Sequence, residues 1–213
     1  MKTDELIAML AEGAPPVQPD AGVRRLAMAL GWGLFGATLL MALLLGVRPD
    51  LARALRVPMF WMKLGVPVLA ALAALQLASR LGLPGTGPAR VPLLLSALLL
   101  LAWSGAAAML MRSAPEAWAP MVFGVTWKTC PFNIALLSSP LFVAAFWAMR
   151  GMAPTRPAQA GAAAGLLAGA SGAAVYALHC PEMAPPFLAI WYVLGMSIPA
   201  LLGAALGPRL LRW

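Results

Sequence analysis

The chain has 213 residues, 62% of them hydrophobic and 10% charged, with a formal net charge of +8. Ordinary soluble domains hold about 45–50% apolar and about 25% charged residues, so this chain lacks the charge to cover a water-facing surface. Disorder, which needs low hydrophobicity and high charge, is excluded by the same numbers. The composition is that of an integral membrane protein, and one His, two Cys and seven acidic residues leave little for acid–base or metal catalysis.

Taken in order, the chain opens on a polar, acidic start, Met1-Lys2-Thr3-Asp4-Glu5, with no short apolar core and small-residue cleavage site of the kind a secretory signal peptide carries. Thr3 is a candidate N-cap, with Asp4 and Glu5 placed in a first helical turn. Leu6, Ile7, Leu10 and Ala11 then recur on one face until Pro15-Pro16 ends the pattern. Two turns of helix are marginal alone in water. The segment reads either as a tail lying on the membrane or as a helix that folds into a partner's apolar groove.

Six apolar runs follow, about 26–47, 58–78, 91–111, 130–149, 158–180 and 187–207, each near the roughly 20 residues that cross a bilayer as a helix. Breakers and charges separate them, as in Arg48-Pro49-Asp50, Pro84-Gly85-Thr86-Gly87-Pro88 and Met152-Ala153-Pro154-Thr155-Arg156-Pro157. Lipid admits only helices and closed barrels, and runs this long and continuous exclude strands. The expected fold is an all-α bundle of six transmembrane helices, residues 26–213, behind a short cytoplasmic N-terminal tail, residues 1–25. Lys63 sits one turn into the second run, where its stem can snorkel to the interface.

The basic residues flank these runs and form no stripe with interleaved aromatics, so the positive charge points to orientation in a membrane and not to direct nucleic-acid binding. With the N-terminus inside, the cytoplasmic side holds nine basic residues (Lys2, Arg24, Arg25, Arg80, Arg90, Arg150, Arg156, Arg209, Arg212) against five outside (Arg48, Arg53, Arg56, Arg112, Lys128). Both termini are therefore expected in the cytoplasm. Gly161, Gly165 and Gly169 in the fifth run, answered by Gly203 and Gly207 in the sixth, form faces that let helices approach closely. Pro67, Pro140 and Pro199 lie inside runs two, four and six as kinks or hinges.

No phosphate-binding, zinc-protease, nucleophile-elbow or paired-carboxylate motif is present, and the runs hold no Asp or Glu, which weighs against an ion-coupled transporter. Two cysteines stand out. Cys130-Pro131 opens the fourth run and Cys180-Pro181 closes the fifth, so in an antiparallel hairpin both reach similar depth at one face, the oxidising outer face in this orientation. They pack silently, form a reversible disulfide if their Cα atoms come within about 7 Å, or capture a soft metal with His179 nitrogen and Met183 thioether nearby. Candidate metal ligands are Cys130, Cys180 and His179. No Cys-x-x-Cys pair marks a disulfide oxidoreductase, and no cofactor is expected.

The opening Lys2-Thr3-Asp4-Glu5-Leu6-Ile7, Gly46-Val47-Arg48-Pro49-Asp50, the stretch Trp127 to Pro131, Tyr176-Ala177-Leu178-His179-Cys180-Pro181-Glu182-Met183 and Gly207-Pro208-Arg209-Leu210-Leu211 together resemble the NrsF family of bacterial membrane proteins. The resemblance runs over nearly the whole chain, and its most specific part is His-Cys-Pro-Glu-Met. It implies an inner-membrane anti-sigma factor of six spans without enzymatic turnover. A cytoplasmic N-terminal segment would hold an extracytoplasmic-function sigma factor and release it on oxidative or metal stress. Cys130 and Cys180 match the family's sensing pair, with His179, Glu182 and Met183 as auxiliary candidates. Thr3, Asp4, Leu6, Ile7 and Leu10 fall in the matching N-terminal motif. A membrane thiol–disulfide or quinone-linked redox protein and a small-molecule or metal transporter are the alternative readings.

Overall fold

The computed structural model describes residues 3–12 and 21–212. Among them there are helices and turns and no strand. Helix α1 (Thr3–Ala11) is followed by the spans α2 (Ala21–Leu44), α4 (Pro58–Leu81), α5 (Val91–Met111), α7 (Cys130–Arg150) and α8 (Pro157–Tyr176). The short helices α3 (Leu51–Ala54) and α6 (Trp118–Phe123) lie between them. The sixth span, Pro185–Leu210, consists of α9 (Pro185–Phe187), one wide π turn (Leu188–Tyr192) and α10 (Val193–Leu210). Six helices are thus long and apolar enough to cross a membrane. Five of these spans carry proline in their first two positions, where a fixed φ favours the helix and the missing N–H has no intrahelical acceptor to lose.

Helix limits depart from the apolar runs at two functional places. The first span starts at Ala21 and takes in Arg24 and Arg25, which the composition assigns to the tail. The backbone keeps its helical bonds through the interface, and the Arg25 guanidinium lies over the Trp147 ring, 5.2 Å from its centroid. The fifth span stops at Tyr176, four residues short of Cys180. Pro181 disfavours helical geometry at Cys180. The last amides tighten onto Val175 and Tyr176 carbonyls before the chain turns away. At the N-terminus Thr3 is itself helical and not an N-cap, and α1 ends at Ala11; residues 1–2 and Pro15-Pro16 lie outside the described residues.

Helix α8 is the centre of the bundle, in contact with α10, α7 and α4. Of its most apolar stretch 72% is buried, against 6% for α5, although α8 has the lowest mean hydropathy of the six spans and α5 the highest. Lipid is as apolar as leucine, so apolar side chains gain little by turning inward and small residues decide which helix is surrounded. A Cβ on Gly161 would meet the Gly203 carbonyl oxygen, one on Gly165 the Pro199 oxygen, and one on Gly207 the Pro157 oxygen. Backbone atoms cannot yield as a side chain can.

Gly165→Leu is therefore expected to force α8 from α10 and destabilise the bundle by more than the roughly 1–3 kcal/mol typical of overpacking. Gly31, which has open space around it, should take Leu within about 0.5 kcal/mol. Denaturation midpoints in detergent measure both, and equal midpoints would refute the glycine contact as the holding feature.

Candidate functional site

The two cysteines meet at the end of the bundle where α7 begins and α8 has ended. Cys130 is the first residue of α7, its amide bonded to the Thr126 carbonyl at 2.9 Å, and Cys180 lies in the loop of residues 177–184. Both are free thiols, both are fully buried, and their sulfurs lie within interaction range of each other. The depth argued from the antiparallel hairpin thus brings the side chains together. Tyr176 and Tyr192 close around them; each hydroxyl is buried beside a thiol without a hydrogen bond of normal geometry.

Four connections pin the Cys180 loop. Arg48, after the first span, donates from Nη1 to the Cys180 carbonyl at 3.1 Å, while its Nε and Nη2 grip Asp50 at 2.7 Å each. That guanidinium holds the Asp50 carboxyl below the usual carboxylate range. Lys63 donates from Nζ to the Cys180 carbonyl at 2.6 Å and to the Glu182 carbonyl at 2.9 Å. Glu182 sends its carboxylate back to the chain before α7, accepting from the amides of Val125 at 2.7 Å and Thr126 at 3.2 Å. Gly124 turns there with φ +53, and a Cβ would collide with that carboxylate. The imidazole of His179 donates from Nδ1 to the Gly46 carbonyl at 2.8 Å.

Lys63 corrects the sequence expectation. It does not snorkel: it is 2% exposed, its ammonium turned into the bundle and 5.6 Å from the Tyr192 ring centroid. A buried ammonium is costly without a counter-charge, and among the described residues no carboxylate pairs with it; the ion pair found there is Arg48–Asp50. The acidic group facing it is the Cys180 thiol. The Cys130 thiol beside it, and then the Lys63 ammonium and Glu182 backbone, hold the Cys180 thiol well below its ordinary range against the opposing effect of burial.

Between about pH 6.5 and 8.5 an ordinary thiol gains roughly 50-fold in thiolate. Labelling of Cys180 by methyl methanethiosulfonate should change far less over that interval, and its slope should steepen in Lys63→Met, with the Cys130 thiol still in place. A steep slope in the unaltered protein would remove Lys63 as the counter-charge.

The metal set considered from sequence is not assembled. Among the described residues no three of His, Cys, Asp and Glu come together; His179 Nδ1 bonds the Gly46 carbonyl, and the Glu182 carboxylate accepts from Val125 and Thr126. Met183 is half-buried. In α1, at the other candidate site, Leu6 and Ile7 are 37% and 59% exposed, while the Leu10 side chain lies outside the described residues.

Residues 10–213 match the family model described as NrsF, negative regulator of sigma F. The chain belongs to the NrsF family. It is 50% identical over its whole length to the full length of a protein of Azospira oryzae named probable anti-sigma-F factor NrsF. It is 40% identical, again over both whole chains, to the anti-sigma-F factor NrsF of Caulobacter vibrioides. No solved structure matches the chain. These NrsF names point to a regulatory, non-catalytic role.

Lys63 and Arg48, neither a site candidate from the sequence, hold the Cys180 loop. The available signal was that Lys63 is the one Lys or Arg inside the six apolar runs, and an ionisable group within such a run is a candidate functional residue.

Proposed function

We propose that the chain is an inner-membrane anti-sigma factor, with both termini in the cytoplasm. It holds a sigma factor of the extracytoplasmic-function class through Thr3, Asp4, Leu6, Ile7 and Leu10 and releases it when Cys130 and Cys180 are oxidised to a disulfide. The observation that carries the reading is the pair of adjacent, fully buried thiols, with Cys180 in a loop tied by Lys63, Arg48 and Glu182 to three other parts of the chain. The NrsF relatives' names supply the regulated partner.

Mechanistically, a Cys130–Cys180 bond draws the 177–184 loop toward the start of α7. That loop is continuous with α8, and α8 contacts α10 along the glycine faces and also touches α2, whose N-terminal end leads to the tail. A shift of the loop is therefore carried by rigid helices to the opposite face. The bond can bias release only by being more stable in the releasing arrangement. Oxidation is favoured over metal capture as the trigger because the thiols find each other while a third ligand does not.

Membranes carrying the full chain should retain the sigma factor on affinity purification, and membranes carrying a version without residues 1–25 should not. Equal retention by both would place the contact in the bundle.

A further inference from the structure

The thiols are fully buried, so the residues around them decide what can deliver an oxidant. One void ends at this site. It is a cavity of about 230 Å³ between α4, α5 and the sixth span. Met62 and Leu101, which line it, face the lipid side, at 63% and 71% exposure. Its lining is otherwise apolar (Val66, Leu98, Ala102, Leu188) except where Lys63 and Tyr192 form the wall. Those same two residues touch Cys180, Lys63 through the carbonyl and Tyr192 beside the thiol. One layer of side chain therefore separates the cavity from the sulfur.

We propose that this cavity binds a lipid-soluble quinone, whose ring lies against Lys63 and Tyr192 and whose chain leaves between α4 and α5 into the bilayer, and that the quinone is the oxidant of the Cys130–Cys180 pair. The inference rests on the redox reading above. Size agrees: a cavity of about 150 Å³ accommodates benzene, so the volume here takes a substituted ring. Chemistry agrees as well. Lys63 spends two of its three N–H donors on the Cys180 and Glu182 carbonyls and has a third for a quinone oxygen, and an ammonium there favours the charge that builds on that oxygen as it is reduced. In the reaction the pair gives up two electrons and two protons. One Sγ–Sγ bond forms, and each quinone oxygen takes one proton to give the quinol. The site would make the chain a reporter of how oxidised the membrane quinone pool is.

The test uses the full chain, reduced and anaerobic in nanodiscs, with decylubiquinone as probe. Free thiols are counted after quenching and quinol is followed by its absorbance. Two thiols should be lost per quinol formed, with a rate that saturates in decylubiquinone. Gly105 lines the cavity and has open space at its Cβ position, so Gly105→Trp fills the void without a backbone clash. It should slow the reaction by about tenfold or more, while diamide oxidises both proteins equally. Cys180→Ser should bind the probe and form no quinol. A rate linear in probe, unaffected by Gly105→Trp, or thiol loss without quinol would overturn the proposal and leave the cavity to lipid chains. Failure is separable from failure of the anti-sigma reading. If diamide-formed disulfide still releases the sigma factor, only the quinone is refuted; if it does not, the redox reading falls.

Discussion

Replacing Leu6 or Ile7 by aspartate is expected to free the sigma factor and switch its target genes on without stress, while the bundle inserts unchanged. Both side chains are exposed apolar groups on α1, a helix of nine residues with Asp4 and Glu5 in its first turn. A helix this short gains little from its own hydrogen bonds. An apolar face in a partner's groove supplies what it lacks, and a carboxylate placed there is buried without a counter-charge. Loss of one such anchor costs about 2 kcal/mol or more, roughly 30-fold in affinity. Titration of the sigma factor against the full chain in nanodiscs measures it. Affinity unchanged in both variants would show that α1 is not the contact surface.

Substituting either cysteine by serine is expected to lock the repressed state and abolish the stress response, the largest effect the account contains. The sulfurs are neighbours and neither has another cysteine partner, since the chain has only two. Cys130→Ser, Cys180→Ser and the double variant should therefore behave alike. Serine is close in size, so the buried pocket under Tyr176 and Tyr192 is kept. Were a standing disulfide to maintain repression instead, the same substitutions would switch targets on permanently. A normal graded response in the double variant would leave both cysteines as packing residues. Reporter expression under increasing diamide separates the three outcomes.

The spans were readable because continuous apolar runs in lipid have one solution, and prolines at 58, 92, 131, 157 and 185 marked where helices start. The similar depth of Cys130 and Cys180 was readable from rise per residue, although Cys180 sits beyond its helix; that their side chains adjoin was not. Which helix stands at the centre could be read only from the glycines of α8, since hydropathy ranks the buried α8 below the exposed α5. The inward turn of Lys63 was hidden. A residue one turn from a helix start can reach water or the interior, and rotation about the helix axis depends on packing that sequence spacing leaves open. The links from Arg48 to Cys180 and from Val125 to Glu182 join residues far apart in the chain, with no periodicity to announce them. The π turn before Val193, which lies where Trp191 donates to the Val122 carbonyl at 2.8 Å and Tyr192 lies beside Lys63, had no signal in composition.

Whether the state of one buried thiol pair sets sigma-factor release can be decided by following both quantities in one sample. The full chain, loaded with its sigma factor in anaerobic nanodiscs, is titrated with diamide. The Cys130–Cys180 disulfide is counted by peptide mass spectrometry and bound sigma factor by affinity pull-down at each step. Bound sigma factor should fall in proportion to the disulfide and return on reduction with dithiothreitol. Sigma factor still fully bound when every chain carries the disulfide would contradict it.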